Sequence, residues 1–172
     1  MNYKTKLHDI KAFIFDYDGV MSDGMIYCGT PELIVRSGNV KDGYAIQYAI
    51  KQGYKVAILS GGRGESITKR CQMLGIEDIF VGCSNKIETF NKFLKDNKFE
   101  TKNVLYMGDD IPDYDIMLAA GVSSCPKDAA QEIKDVADYI SDKRGGFGCI
   151  RDVIEQVLKL KNQWFNENAK EW

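Results

Sequence analysis

A single histidine, His8, stands in the whole chain of 172 residues, close to its start. A histidine-based nucleophile triad or a zinc cluster therefore has almost no material to work with. The five cysteines (Cys28, Cys71, Cys83, Cys125 and Cys149) are scattered, odd in number and form no C-x-x-C pair. Structural disulfides are not expected, and a reducing, cytoplasmic setting fits best. A formal net charge of -2 offers no basic surface for nucleic acid or an acidic membrane. No segment approaches the run of ~20 apolar residues needed to span a bilayer. The opening MNYKTKLHDI has lysines but no following apolar stretch, so no signal peptide is expected. The phosphate loop G-x-x-x-x-G-K-[ST] is absent too.

What remains is an ordinary globular composition, 44% hydrophobic and 28% charged, long enough for one domain over residues 1–172. Short apolar runs alternate with amphipathic segments. KAFIFD, VAILS (Val56–Ser60), DIFVG (Asp78–Gly82) and NVLYMGDD (Asn103–Asp110) read as strands, and GVSSC (Gly121–Cys125) as a weaker one. Between them, DGYAIQYAIKQG, ESITKRCQMLG and SNKIETFNKFLKDN carry helical periodicity, the last with Ser84 placed as N-cap. The pattern predicts an α/β fold: a Rossmann-like, doubly wound parallel sheet with helices on both faces.

One region breaks the alternation. Two short extended runs flank Gly29-Thr30-Pro31 and read as a hairpin over about residues 25–37, inserted after the first strand. It carries apolar Met25, Ile26, Tyr27, Leu33, Ile34 and Val35. The C-terminal region, residues 149–172, opens as a helix with a stripe of Ile150, Val153, Ile154, Val157 and Leu158, and residues beyond Trp164 are expected to fray.

Parallel sheets place ligand sites at the C-terminal ends of their strands. The strand ends here supply Asp16 and Asp18, then Ser60, then Lys86, then Asp109 and Asp110, with Asp113 just beyond. Clustered carboxylates repel one another and lose hydration, so they need a cation, and oxygen ligands alone suit a hard ion such as Mg²⁺. Lysine and a serine hydroxyl beside them suit a phosphate. A carboxylate can attack phosphorus, and a second carboxyl two residues on can protonate the leaving oxygen. Each stretch alone has a plainer explanation: D-x-D-G as a turn, Lys86 as a solvated helix residue, Ser60 before Gly61-Gly62 as a turn, GDD as a cap before Pro112. A calcium loop fails on spacing, because Val20, Met21 and Tyr27 stand where ligands and glycine are needed.

All four stretches in order resemble the haloacid dehalogenase superfamily of phosphohydrolases, over nearly the whole chain. DYDGVMSDG matches its first motif, Ser60-Gly61 the second, Lys86 in SNK the third and GDDIPD the last. The resemblance implies Asp16 as nucleophile and Asp18 as acid/base, with Ser60, Gly61 and Lys86 on the phosphoryl oxygens. It implies Mg²⁺, with Mn²⁺ or Co²⁺ as substitutes, held by Asp16, the Asp18 carbonyl and Asp109, with Asp110 in support. The spans Asp18–Ser60 and Ser60–Lys86 leave no room for a cap domain. DGMIY, GNVKDGYAI, LGIEDIFVG and RGGFGCIRDVIE further resemble the 3-deoxy-D-manno-octulosonate 8-phosphate phosphatase family, whose members are tetramers sharing sites between subunits. This likeness implies a sugar-acid phosphate substrate met by Asn39, Val40, Lys41, Asp42, Gly43 and Arg70. Two departures stand out. Gly62 occupies the place of a substrate-binding arginine, leaving Arg63 one residue late, and Gln47 replaces another arginine.

Alternatives remain at this level: a phosphatase for nine-carbon sialic or ketodeoxynononic acid 9-phosphates, an idle oligomerisation domain, or a phosphatase of macromolecules. The missing cap and the apolar hairpin together lead to the expectation of a homotetramer. In it, Arg144 and the C-terminal tail would lean over a neighbour's site, although Gly145-Gly146 equally reads as a turn into the last helix.

Overall fold

The computed structural model describes residues 2–30 and 34–171. A short helix α1 (Tyr3–Lys6) leads into strand β1 (Ala12–Phe15), and a hairpin of β2 (Ile26–Cys28) and β3 (Ile34–Arg36) follows. Then come helix α2 (Val40–Lys51), β4 (Lys55–Leu59), α3 (Glu65–Met73), β5 (Asp78–Phe80), α4 (Lys86–Asn97) and β6 (Val104–Met107). The chain closes with α5 (Tyr114–Ala119), β7 (Val122–Cys125), α6 (Gln131–Val136), β8 (Tyr139–Ile140) and α7 (Cys149–Leu160).

Six strands form one parallel sheet in the order β5-β4-β1-β6-β7-β8, and β2 and β3 pair antiparallel as a separate ribbon. Counting main-sheet strands alone, this is the doubly wound order 3-2-1-4-5-6, whose switch point lies between β1 and β6. The register is flush there, with Phe15 opposite both Ile58 and Met107, so the three central strands stop at one level. All four β1 residues are buried because the sheet is covered on both faces. Phe13 and Phe15 point into a core with α2, α3 and α7, while Ala12 and Ile14 point into one with α4, α5 and α6.

Several details depart from the sequence reading. The N-cap of α4 is Asn85, whose side chain accepts from Glu88 N–H, and not Ser84. The helix α7 ends at Leu160, and the tail after it does not fray or reach outward. It folds back on its own α2, where Tyr48 donates to Gln163 and Asn166, and Trp164 meets the Tyr48 ring edge-on at 5.3 Å. Lys51 at the end of α2 donates to Glu171. Since α2 runs antiparallel to the strands, this clasp lies at the sheet edge remote from the strand C-termini. The hairpin is present as expected, although Pro31 and Leu33 lie outside the described residues. Among those described, no helix is long and apolar enough to cross a membrane.

Candidate active site

Asp16 directly follows β1 at the switch point, and its backbone N–H donates to Met107 O across to β6. The chain then makes an irregular helical turn, Tyr17–Met21, broken at Asp18 and Gly19. Gly19 has φ +89°, and a Cβ there would sit 2.0 Å from Asp109 Oδ2. Only glycine permits both the left-handed turn and this approach of the Asp109 carboxylate. Gly145 presses on the same turn from outside, since a Cβ would meet Gly19 O at 1.8 Å. The Gly145-Gly146 segment thus buttresses the active-site loop of its own subunit, a role that the sequence does not announce. Arg144 beside it is exposed and paired with Asp128.

A cavity of about 310 Å³ opens at this edge, and its lining includes Asp16, Asp18, Ser60, Lys86, Asp109 and Asp113. Residues separated by nearly a hundred positions therefore meet as the strand-end pattern requires. Lys86, the first residue of α4, reaches down to Asp113 Oδ1 at 2.6 Å and Asp16 Oδ2 at 3.1 Å. Ser60 is buried, and its hydroxyl accepts from Gly62 N–H at 3.0 Å. Asp113 is fully buried. Its Oδ1 also accepts from Tyr106 O–H at 2.5 Å, and its Oδ2 accepts from the Asp109 and Asp110 amides at 3.0 and 3.4 Å.

The electrostatics of this cluster are unbalanced. Burial and the charge of Asp113 push the Asp16 carboxyl up to about 7 against the pull of Lys86. Burial, then Asp16 and Asp113, push Asp109 up to about 8. Burial works to lower Lys86, but Asp16 and Asp113 outweigh it and hold the ammonium above its usual range. Carboxylates so raised signal negative charge without enough compensation. Oxygens of Asp16, Asp109 and Asp113 lie within 4.8 Å of one another, and Asp109 Oδ1 is buried without a partner among the described residues. An all-oxygen set with an orphaned carboxylate oxygen fits a hard divalent cation.

Other expected site residues sit elsewhere. Asp110 is exposed and caps the turn that follows, accepting from its own Ile111 N–H at 2.9 Å. It lines the cavity, but Asp113 takes the place within the carboxylate trio. Asn39, Val40, Lys41, Asp42, Gly43, Arg63 and Arg70 do not line the cavity among the described residues. Asp42 turns into the fold, accepting from Gly148 and Arg151 amides at 3.1 and 2.7 Å and so fixing the start of α7. Gly43 packs on Arg70, and Arg63 lies exposed against Gly82. Asn39 caps α2 and donates to Gly146 O, while Val40 and Lys41 are exposed beside it. Arg36, which the sequence did not single out, reaches in from β3 to Asp18.

Known proteins are similar to this chain in sequence and fold. The haloacid dehalogenase-like hydrolase family matches residues 74–150. The chain is 37% identical over 154 residues to 3-deoxy-D-manno-octulosonate 8-phosphate phosphatase KdsC of Salmonella typhi, covering 90% of this chain and 82% of that protein. The fold is similar to the crystal structure of the same phosphatase from Moraxella catarrhalis in complex with magnesium ion, phosphate ion and KDO. That likeness has a TM-score of 0.91 and 31% identity and covers 94% of this chain and 93% of the other. A cobalt-bound form of the phosphatase from Haemophilus influenzae gives a TM-score of 0.91 at 27% identity, covering 96% of this chain and 98% of that one. With the Asp16 turn, the buried lysine and the acidic loop all at the strand ends, the chain belongs to the 3-deoxy-D-manno-octulosonate 8-phosphate phosphatase family of haloacid dehalogenase-like hydrolases.

Proposed function

We propose that this protein hydrolyses a small sugar-acid phosphate, 3-deoxy-D-manno-octulosonate 8-phosphate foremost, to the free sugar acid and inorganic phosphate, a step in making lipopolysaccharide precursors. The observation that carries this reading is the buried Asp16–Lys86 pair at the switch point, beside Asp109 and the Ser60 hydroxyl.

Asp16 attacks the phosphorus, and the bond from phosphorus to the sugar oxygen breaks as Asp18 gives that oxygen a proton. Water then attacks the aspartyl-phosphate and loses its proton to Asp18. Asp16 is freed and phosphate leaves. Lys86, the Ser60 hydroxyl and Gly61 hold the transferring oxygens in place. Asp16, the Asp18 carbonyl and Asp109 would hold Mg²⁺, with Mn²⁺ or Co²⁺ as substitutes. When bound, it would neutralise the carboxylates and offset charge on the phosphoryl oxygens. Asp113 steers Lys86 and the Asp109 backbone. The exposed start of α2 at Asn39, Val40 and Lys41 is the segment offered to the sugar-acid end.

Residues 1–172 act as one phosphatase domain without a cap. The hairpin leaves Met25, Ile26, Tyr27, Ile34 and Val35 between 37% and 59% exposed, more apolar surface than a lone ribbon sensibly shows to water. A homotetramer joined through the hairpins covers it. Five free cysteines suit a cytoplasmic setting.

Asp16→Asn tests the chemistry. Its amide is a poor nucleophile and a poor metal ligand, so turnover falls by at least about 10³-fold, as for other essential catalytic groups. Phosphate release near the wild-type rate would refute the assignment.

A further inference from the structure

Arg36 ends β3, and its side chain turns inward from the exposed hairpin, only 4% accessible. Its Nε donates to Asp18 Oδ1 at 2.6 Å and its Nη2 to Asp18 Oδ2 at 3.2 Å. This two-point fork fixes both the position and the plane of a carboxylate. Among the described residues no other cation pairs with Asp18. Room for the fork is made at residue 62. A Cβ on Gly62 would lie 2.7 Å from Asp18 Oδ2, and 3.1 Å from both Arg36 Nη2 and Ser60 Oγ. Any side chain there must displace the Asp18 carboxyl or the guanidinium. Gly62, Arg36 and Asp18 thus fit together as one unit at the lip of the cavity.

Stability alone does not account for the arrangement. Arg36 Nη1 is buried with no partner among the described residues, and a buried donor left unpaired costs about 1–3 kcal/mol. Asp18 itself stands on a kinked turn, where a free carboxyl would sample several rotamers. A carboxylate has roughly four lone-pair sites, so a forked arginine leaves it about two for proton exchange.

We propose that Arg36 is the positioning residue for Asp18. It holds that carboxyl where it exchanges a proton with the leaving oxygen, and the bare Gly62 is the space that admits it. This rests on Asp18 being the proton-exchanging group of the proposed reaction. One consequence is that whatever seats the hairpin also seats Asp18.

The test uses leaving groups. A sugar alkoxide leaves poorly without a proton, whereas p-nitrophenolate leaves readily without one. Single-turnover rates of leaving-group release read the attack of Asp16 without the later hydrolysis, which needs Asp18 for either substrate. They are measured with Mg²⁺ on 3-deoxy-D-manno-octulosonate 8-phosphate and p-nitrophenyl phosphate, for wild type, Arg36→Met and Arg36→Lys. Loss of a well-placed general acid removes about 10²-fold or more of rate. Arg36→Met should show that loss in the saturating first-step rate on the sugar phosphate, with the half-saturating concentration and the p-nitrophenolate release rate each changed less than about threefold. Arg36→Lys, which keeps the charge but not the fork, should recover about tenfold of the loss. Equal losses of leaving-group release on both substrates, a loss confined to the half-saturating concentration, or no recovery with lysine would overturn the inference. Should Arg36→Met fail to fold, Arg36→Gln gives the same readout, because its neutral amide cannot make the two-point fork. Wild-type protein inactive on both substrates would overturn the phosphatase reading and this inference with it, whereas equal losses in the variant overturn the inference alone.

Discussion

Changing Asp113 to Asn should destabilise the protein by about 3 kcal/mol, whereas the same change at Asp110 should cost less than about 1 kcal/mol. The two residues are three apart in one acidic loop, and the structure separates them completely. Asp113 is fully buried and accepts four hydrogen bonds, two on each oxygen, from Lys86, Tyr106 and the amides of Asp109 and Asp110. An asparagine side chain keeps one accepting oxygen, and its nitrogen can only donate. Two donors must then face a donor, at about 1–3 kcal/mol each. Removing one negative charge relieves some repulsion on Asp16 and Asp109, which brings the net loss to the lower half of that range. Asp110 is exposed, and its side chain caps the turn by accepting from the Ile111 and Asp113 N–H groups, bonds that an asparagine oxygen makes equally well. Urea unfolding followed by tryptophan fluorescence measures both variants in metal-free buffer. For a chain of this length the larger loss corresponds to a fall in Tm of roughly 6–12 °C. An Asp113→Asn protein within about 0.5 kcal/mol of wild type would refute the reasoning, since changes that small are those of ordinary surface positions. So would equal losses at the two positions.

Metal-free protein should lose stability as pH rises. Asp16 and Asp109 have folded-state values near 7 and 8, above the ordinary carboxyl range of about 4. The folded state therefore keeps protons that the unfolded chain releases. Their contribution is complete below about pH 4 and declines as pH climbs through the folded-state values. Mg²⁺ should remove that penalty, so its Tm increment should be larger at pH 8.5 than at pH 6, and the reverse order would contradict the site. Truncation after Lys161 should destabilise by about 2–4 kcal/mol, because the Tyr48 and Tyr54 hydroxyls lose their partners and Trp164 leaves its packing. The same truncation should leave kcat within about twofold, as expected for a change remote from the reacting atoms. A large loss of turnover on a stable truncated protein would mean that the tail reaches a site after all. Cys71, Cys125 and Cys149 are buried, with burial pushing the first two thiols up to about 12 and about 11. Ellman's reagent should reach those three only on unfolding, and early reaction of Cys71 would contradict its place in the core.

Strands β1, β4 and β6 were readable because each centres on an apolar run, ended by Asp16, by Ser60 and by Gly108-Asp109. Such runs belong to a sheet covered on both faces. The stripe of α7 was readable for the same reason, since Ile150, Val153, Ile154, Val157 and Leu158 are all buried. The two-residue β8 and the six-residue helices α5 and α6 are too short for periodicity to register. Position within a motif indicated which residues stand at the strand ends, but not which way each side chain turns. Asp42 looked like a pocket residue and caps α7 because Gly148 and Arg151 come to it from 106 and 109 residues away. Asp110 and Asp113 were indistinguishable acids until the loop geometry buried one and exposed the other. Arg36 was silent, since its meaning lies in a partner across the fold and in the empty space at Gly62. Gly145 carried no signal beyond a turn, and its closeness to Gly19 exists only once β1 and the last loop are brought together.

Phosphate release by the purified wild-type protein with Mg²⁺ tests the central claim most directly. The substrates are 3-deoxy-D-manno-octulosonate 8-phosphate, nine-carbon sugar-acid 9-phosphates, neutral sugar phosphates and nucleotides. A site that reads the acid end of its substrate should favour 3-deoxy-D-manno-octulosonate 8-phosphate over neutral sugar phosphates by about 10²-fold or more in kcat/KM, with no release once divalent ions are removed. A preference for the nine-carbon acids would move the substrate within the class. Equal rates on neutral sugar phosphates, or undiminished release without divalent ions, would contradict the account.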